Sequence, residues 1–279
     1  SLLYNIVDRV YIARIPEVGT AALGAVGLCF PLIVIITAFS NLFGSGGAPL
    51  FSIERGKNDQ KKAERIMNTS YSMVCVCAVI LMVIGFLFAR PLLSLFGASA
   101  DAMVYAYPYM MIYLIGTLPS MVATGMNPFI NAQGYSTVGM LSVTIGAVAN
   151  LLLDPLFIFV FGFGVQGAAI ATVISQLISC ILVLWCLYKT EGSYQLRFSK
   201  LKMKKEYLKQ IFQVGIPAGV QSTVINFSNA LLQSSVNSFG STAMAGYTAA
   251  NNILGFLYAS INAVTQACMS FTSQNYGVN

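Results

Sequence analysis

The chain has 279 residues, of which 57% are apolar and only 9% charged, with a mean hydropathy of +0.74. A soluble domain carries about 25% charged residues, so this composition excludes a water-soluble globular protein and points to a polytopic α-helical membrane bundle. The net charge is +6 and there is no histidine, which rules out His-based metal sites and His proton relays in this stretch and leaves carboxylates as the available proton carriers.

A helix crosses the bilayer core with roughly 20 apolar residues, and hydropathy with turn signals places about eight such spans. A partial first span runs near Leu2 to Ile15, already apolar at its start, and the chain ends soon after an apolar run, so it reads as cut at both ends. The others cover about Ala21 to Phe51, Ile66 to Phe88, Met103 to Thr124, Thr137 to Phe161, Gly167 to Leu187, Ile211 to Phe239 and Met244 to Phe271. The loop after the second span carries Arg55, Lys57, Lys61, Lys62 and Arg65; the loop after the sixth carries Lys189, Arg197, Lys200, Lys202, Lys204, Lys205 and Lys209. The positive-inside bias puts both in the cytoplasm. Their lysines are read as topology signals facing anionic lipid, not as a nucleic-acid surface. The second loop is also the natural boundary between bundles, giving an N-terminal lobe at 1–188, a cytoplasmic linker at 189–210 and the start of a second lobe at 211–279. All six cysteines lie in apolar stretches without a C-x-x-C pair and read as free buried thiols.

The chain repeats itself. Gly19-Thr20-Ala21-Ala22-Leu23-Gly24 is echoed by Gly240-Ser241-Thr242-Ala243-Met244-Ala245-Gly246, each followed by a long apolar span that closes on a glycine, Gly56 or Gly277. An even number of spans separates the copies, so the repeat is parallel, a common transporter plan.

Two acids lie well inside apolar spans, Asp8 and Asp154. An intramembrane carboxylate is costly and is a functional-site hypothesis by default. Asp154 follows Asn150 by four residues, so both project from one helix face. Burial disfavours the charged form of a carboxyl, which suits a group that takes up and releases a proton; the same oxygens can instead hold Na⁺. The alternative is structural: Asp154 precedes Pro155 and can cap backbone groups freed at a kink. Asp8 is followed by Arg9 and can lie near the interface.

Asn5-Ile6-Val7-Asp8-Arg9, Asn131-Ala132-Gln133-Gly134, Gly146-Ala147-Val148-Ala149-Asn150-Leu151-Leu152-Leu153-Asp154 and Gly167-Ala168-Ala169-Ile170-Ala171-Thr172 together resemble the MATE family of multidrug and toxic-compound extrusion transporters, closest to its bacterial DinF-like and MepA-like members. The resemblance implies two six-helix lobes around a V-shaped cavity, the second only begun here, and export of amphipathic, often cationic compounds against inward H⁺ or Na⁺ flow. It also implies an N-lobe cation site at Asp8, Asn127, Asn150, Asp154 and Thr172, although Asn127 and Thr172 can equally serve interhelical hydrogen bonding. Some members place a cation-binding Glu in the seventh span; no acid occurs here from Gln210 to Asn279, so coupling is expected in the N-lobe. The expected partners are small organic cations or drugs and membrane lipids, with no nucleic acid, in a monomer of the bacterial plasma membrane. No cofactor beyond the coupling ion is expected.

The methionines Met103, Met110, Met111, Met121 and Met126 can line an adaptable substrate surface or simply pack. Gly44 to Gly47 read as a close helix contact, and no Gly-rich run ends in Lys-Ser or Lys-Thr as a phosphate loop requires. A lipid-linked-oligosaccharide flippase of the wider superfamily is the alternative function. An enzyme is not expected, since no nucleophile–base or metal constellation appears.

Overall fold

The structure, a computed structural model, describes residues 10–15, 19–189, 195–196, 205–237 and 241–278. Asp8 and most of the linker at 189–210 lie outside these residues. The end of the first span is a short turn of helix, α1 (10–13). It is followed by α2 (Gly19–Gly56), α3 (Gln60–Leu95), α4 (Ala100–Ile115), α5 (Thr117–Ala132), α6 (Ser136–Pro155), a π-helical turn (Leu156–Val160), α7 (Gly164–Lys189), α8 (Lys205–Asn237) and α9 (Ser241–Val278).

Most spans are longer than hydropathy alone suggests, because the helices continue past the apolar segment into the polar turns. In α3, Asp59 caps the N-terminus by accepting a hydrogen bond from the Lys62 backbone N–H at 3.1 Å, which begins the helix several residues before the apolar run. Among the described residues, four helices are long and apolar enough to cross a membrane, or five if a bent pair counts as one span. Helices α8 and α9 are 33 and 38 residues long, more than the roughly 20 that a crossing needs.

The bent pair corrects the reading of the fourth span. Instead of one helix from Met103 to Thr124, the chain breaks at Gly116 into α4 and α5, which meet at 55°. Two residues cause this. Pro119 has no N–H to give the carbonyl of Ile115 and is tolerated only in the first turn of a new helix. At Gly116 a Cβ would come within 2.8 Å of both Gln176 Oε1 and Val173 Cγ2, so the glycine lets the side chains of α7 pack closely over the break.

The core of the bundle centres on α2, which packs against α3, α4, α5, α8 and α9. Phe43, Phe51, Phe129 and Met126 are fully buried there, and Phe51 meets Phe129 edge-to-face at 5.7 Å. Gly44 makes the close contact expected of it, since a Cβ would sit 2.8 Å from the Gly125 carbonyl oxygen. Leu87, Leu95, Leu152, Val160 and Ile181 are exposed and form the lipid-facing surface of the bundle. Met110, Met121 and Met126 are buried in the core, so they pack and do not line a substrate surface.

At the end of the bundle that carries the α2–α3 turn, Glu54 accepts hydrogen bonds from Lys62 at 2.9 Å and Lys57 at 3.2 Å. Arg55 Nη1 donates to the Ala132 carbonyl at 2.6 Å, satisfying one of the orphan acceptors at the C-terminus of α5. A charged donor on such a carbonyl is worth about 1.5–3 kcal/mol, less at a half-exposed site. Arg55→Ala in the full-length protein should therefore lower its melting temperature modestly without changing substrate affinity, and an unaltered melting curve would show that the cap contributes nothing.

Candidate functional site: a buried polar cluster beside a cavity

The site forms where α6 ends. Pro155 closes the α-helix, and the chain continues as a π turn with the Phe161 N–H donating to the Leu156 carbonyl at 2.9 Å. π turns within helices are frequent at functional positions. Gly162 and Gly164, at φ 67° and 53°, then reverse the chain into α7. That helix presses back so closely that a Cβ on Gly167 would lie 2.6 Å from the Phe157 carbonyl oxygen. The first span is nearby, because Tyr11 packs edge-on against Phe159 of the π turn at 6.3 Å.

This return places Thr172 of α7 opposite Asn150 and Asp154 of α6. The three are buried, at 4%, 1% and 0% exposure respectively. Asn150 Nδ2 donates to Asp154 Oδ1 at 3.3 Å and to Thr172 Oγ1 at 3.5 Å, the outer limit of a hydrogen bond. Thr172 Oγ1 in turn donates to the Ala168 carbonyl at 2.9 Å. Asn150 Oδ1 is buried with no hydrogen-bond partner among the described residues. Buried acceptors are rarely left so. A carboxyl, an amide and a hydroxyl meet in one apolar setting with the amide nitrogen facing the other two; the set fits a proton on Asp154, and it fits a hard cation such as Na⁺, which takes oxygen ligands, once the amide turns Oδ1 inward.

Asn127 sits elsewhere. Its Nδ2 donates to the Gly139 carbonyl at 2.9 Å and to Ser142 Oγ at 3.4 Å, and Asn131 Nδ2 donates to its Oδ1 at 3.4 Å. Gly139 precedes Asn150 by about 16 Å along α6 at 1.5 Å per residue. Asn127 thus ties α5 to the start of α6 and is not a contact of Asp154. It does share a cavity of about 730 Å³ with Asn150 and Thr172. That cavity lies between α2, α4, α5, α6, α7, α8 and α9, with Asn41, Tyr109, Tyr113, Gln176 and Gln266 also in its wall. Sequence reasoning missed Gln176, whose Nε2 donates to the Tyr113 hydroxyl at 3.4 Å. The signal was present: Gln176 follows Thr172 by four residues and therefore shares its helix face.

A multi-helix membrane bundle with a carboxyl buried in a polar cluster beside a cavity is the architecture of a secondary transporter. The MatE family model matches residues 1–156 and 217–279, and the chain belongs to that family, the MATE transporters, which are not enzymes. It is 28% identical over 280 residues to "Probable multidrug resistance protein YoeA" of Bacillus subtilis, a match covering 94% of this chain and 58% of that protein. It is 23% identical over 279 residues to "Multidrug export protein MepA" of Staphylococcus aureus, covering 100% of this chain and 61% of that protein. Among solved structures, a MATE "in complex with MaD5" superposes with a TM-score of 0.90 at 25% identity, covering 99% of this chain and 62% of that one. The chain thus spans about three fifths of the length of the relatives it matches. The protein is an integral, multi-pass membrane protein.

Proposed function

We propose that the protein exports small amphipathic organic compounds, often cationic, from the bacterial cell by alternating access, with H⁺ or Na⁺ moving inward through the Asp154 cluster. One observation carries the reading: a carboxyl at 0% exposure is linked through Asn150 to Thr172, and Asn150 and Thr172 also line the cavity. An ion and a substrate competing across that shared wall favour different lobe arrangements, which is the condition for coupling. The family membership and the relatives named for multidrug resistance and export support the substrate class. In this reading 1–188 is the first lobe, 189–210 the cytoplasmic linker and 211–279 the start of the second lobe, in a protein that acts as a monomer among membrane lipids.

The full-length protein, reconstituted in vesicles, should expel an organic cation such as ethidium when an H⁺ or a Na⁺ gradient is imposed. The gradient that works identifies the coupling ion. No efflux under either gradient, together with movement of a lipid-linked sugar, would replace this reading with that of a flippase.

A further inference from the structure

The two glycines that close the internal repeat touch each other. A Cβ on Gly56, at the end of α2, would lie 3.1 Å from the Gly277 Cα and would collide with the Gln274 carbonyl oxygen. A Cβ on Gly277, at the end of α9, would lie 3.1 Å from the Gly56 Cα and would collide with the Ile53 carbonyl oxygen. The contact is reciprocal: Ile53 precedes Gly56 by the same step as Gln274 precedes Gly277. A self-complementary pair of this kind marks the point where a two-fold axis crosses an interface, here the pseudo-two-fold axis of the parallel repeat. A second backbone contact lies about 15 Å back along α2 at 1.5 Å per residue, where a Cβ on Gly46 would come 2.5 Å from the Ile211 carbonyl oxygen and 3.0 Å from the Gly215 Cα of α8. The Gly56–Gly277 contact is at the end of the bundle that carries the basic α2–α3 turn. Nearer the opposite end the helices carry glycines without this constraint: at Gly27 of α2 and Gly255 of α9 a Cβ would meet nothing within 4 Å.

Backbones held this close are an all-or-none contact. Small residues let membrane helices approach to van der Waals distance, and a single methyl group at the crossing forces them apart. We propose that Gly56 and Gly277 form a backbone clamp that seals the cytoplasmic ends of α2 and α9, and that opening this clamp is the step that exposes the cavity to the cytoplasm. The proposal rests on the alternating-access reading above and names the contact on which the exchange turns.

The test uses the full-length protein in vesicles, with labels on genetically encoded keto amino acids replacing Lys57 and Tyr276, both exposed beside the crossing. This leaves the six native cysteines in place. In the wild-type background the label-to-label distance should be short, and saturating ethidium or an imposed gradient should shift it to a second, longer value. G56A and G277A should each populate the longer value without ligand and lower coupled export about tenfold, the effect of shifting a two-state balance by about 1.4 kcal/mol. G27A and G255A should behave as wild type. The clamp is overturned if G56A and G277A give the wild-type distance distribution, or if no ligand or gradient moves the wild-type distance. A distance that responds in a protein that exports nothing would leave the clamp standing and remove the export reading instead. If G56A does not fold, G277A and the wild-type distance response still decide.

Discussion

Asp154→Asn in the full-length protein should abolish gradient-driven export while leaving the protein folded and its substrate affinity within a few-fold of wild type. The substitution keeps the shape of the side chain and the capacity to accept from Asn150 Nδ2, which lies 3.3 Å from Asp154 Oδ1; it removes the ability to ionise and turns the second carboxyl oxygen into an amide donor. Coupling free energies are typically about 1–3 kcal/mol, a factor of about 5–150, and the whole of that factor is lost with the titratable group. The measurement is efflux against an imposed gradient, paired with equilibrium substrate binding. Full export by the variant would take Asp154 out of the mechanism. Loss of binding together with export would reassign it to a structural role at the Pro155 break. Thr172→Val should act in the same direction and more weakly, because the hydroxyl lies 3.5 Å from Asn150 Nδ2 and in the proposed site is one neutral group among several.

Phe129→Ala should be the most destabilising of the substitutions considered. The side chain is fully buried, its ring meets Phe51 edge-to-face at 5.7 Å, and a Cβ on Gly47 would already come 2.6 Å from its Cζ. In soluble cores Phe→Ala costs about 3–5 kcal/mol. In a bilayer the transfer part of that cost shrinks, since lipid is as apolar as the core. The lost dispersion contacts around the cavity remain, so the cost falls toward the lower end of that range. For chains of 150–250 residues each kcal/mol moves the melting temperature by about 2–4 °C, so a drop of several degrees in detergent is expected. An unchanged melting temperature would mean that α2 and α5 can close over the void.

Composition and charge placement alone determined that this is a membrane bundle, because the bilayer admits few charges and every span must satisfy its own backbone. They also determined the spacing of Asn150 and Asp154 on one face, which follows from helical geometry and needs no tertiary information. The internal repeat was legible in the same way, down to Gly56 and Gly277 as corresponding positions.

What the sequence left open depended on which helix lies against which. The fourth span read as continuous, since average hydropathy is blind to a break set by Pro119 and by a glycine over which α7 packs at Val173 and Gln176. The resemblance grouped Asn127 with Asp154, with interhelical hydrogen bonding as the equal alternative, and the pairing of α5 with the start of α6 holds it at Gly139 and Ser142. The methionines of the fourth span could face a ligand or the core, and packing against α2 decided for the core in Met110, Met121 and Met126. Thr172 could bond to any helix until the π turn and the glycine reversal brought α7 back on α6. Sequence fixes which face of a helix a residue occupies, through a period of 3.6; only tertiary packing fixes what that face meets, because contacts between helices depend on crossing points set by glycine, proline and volume far along the chain.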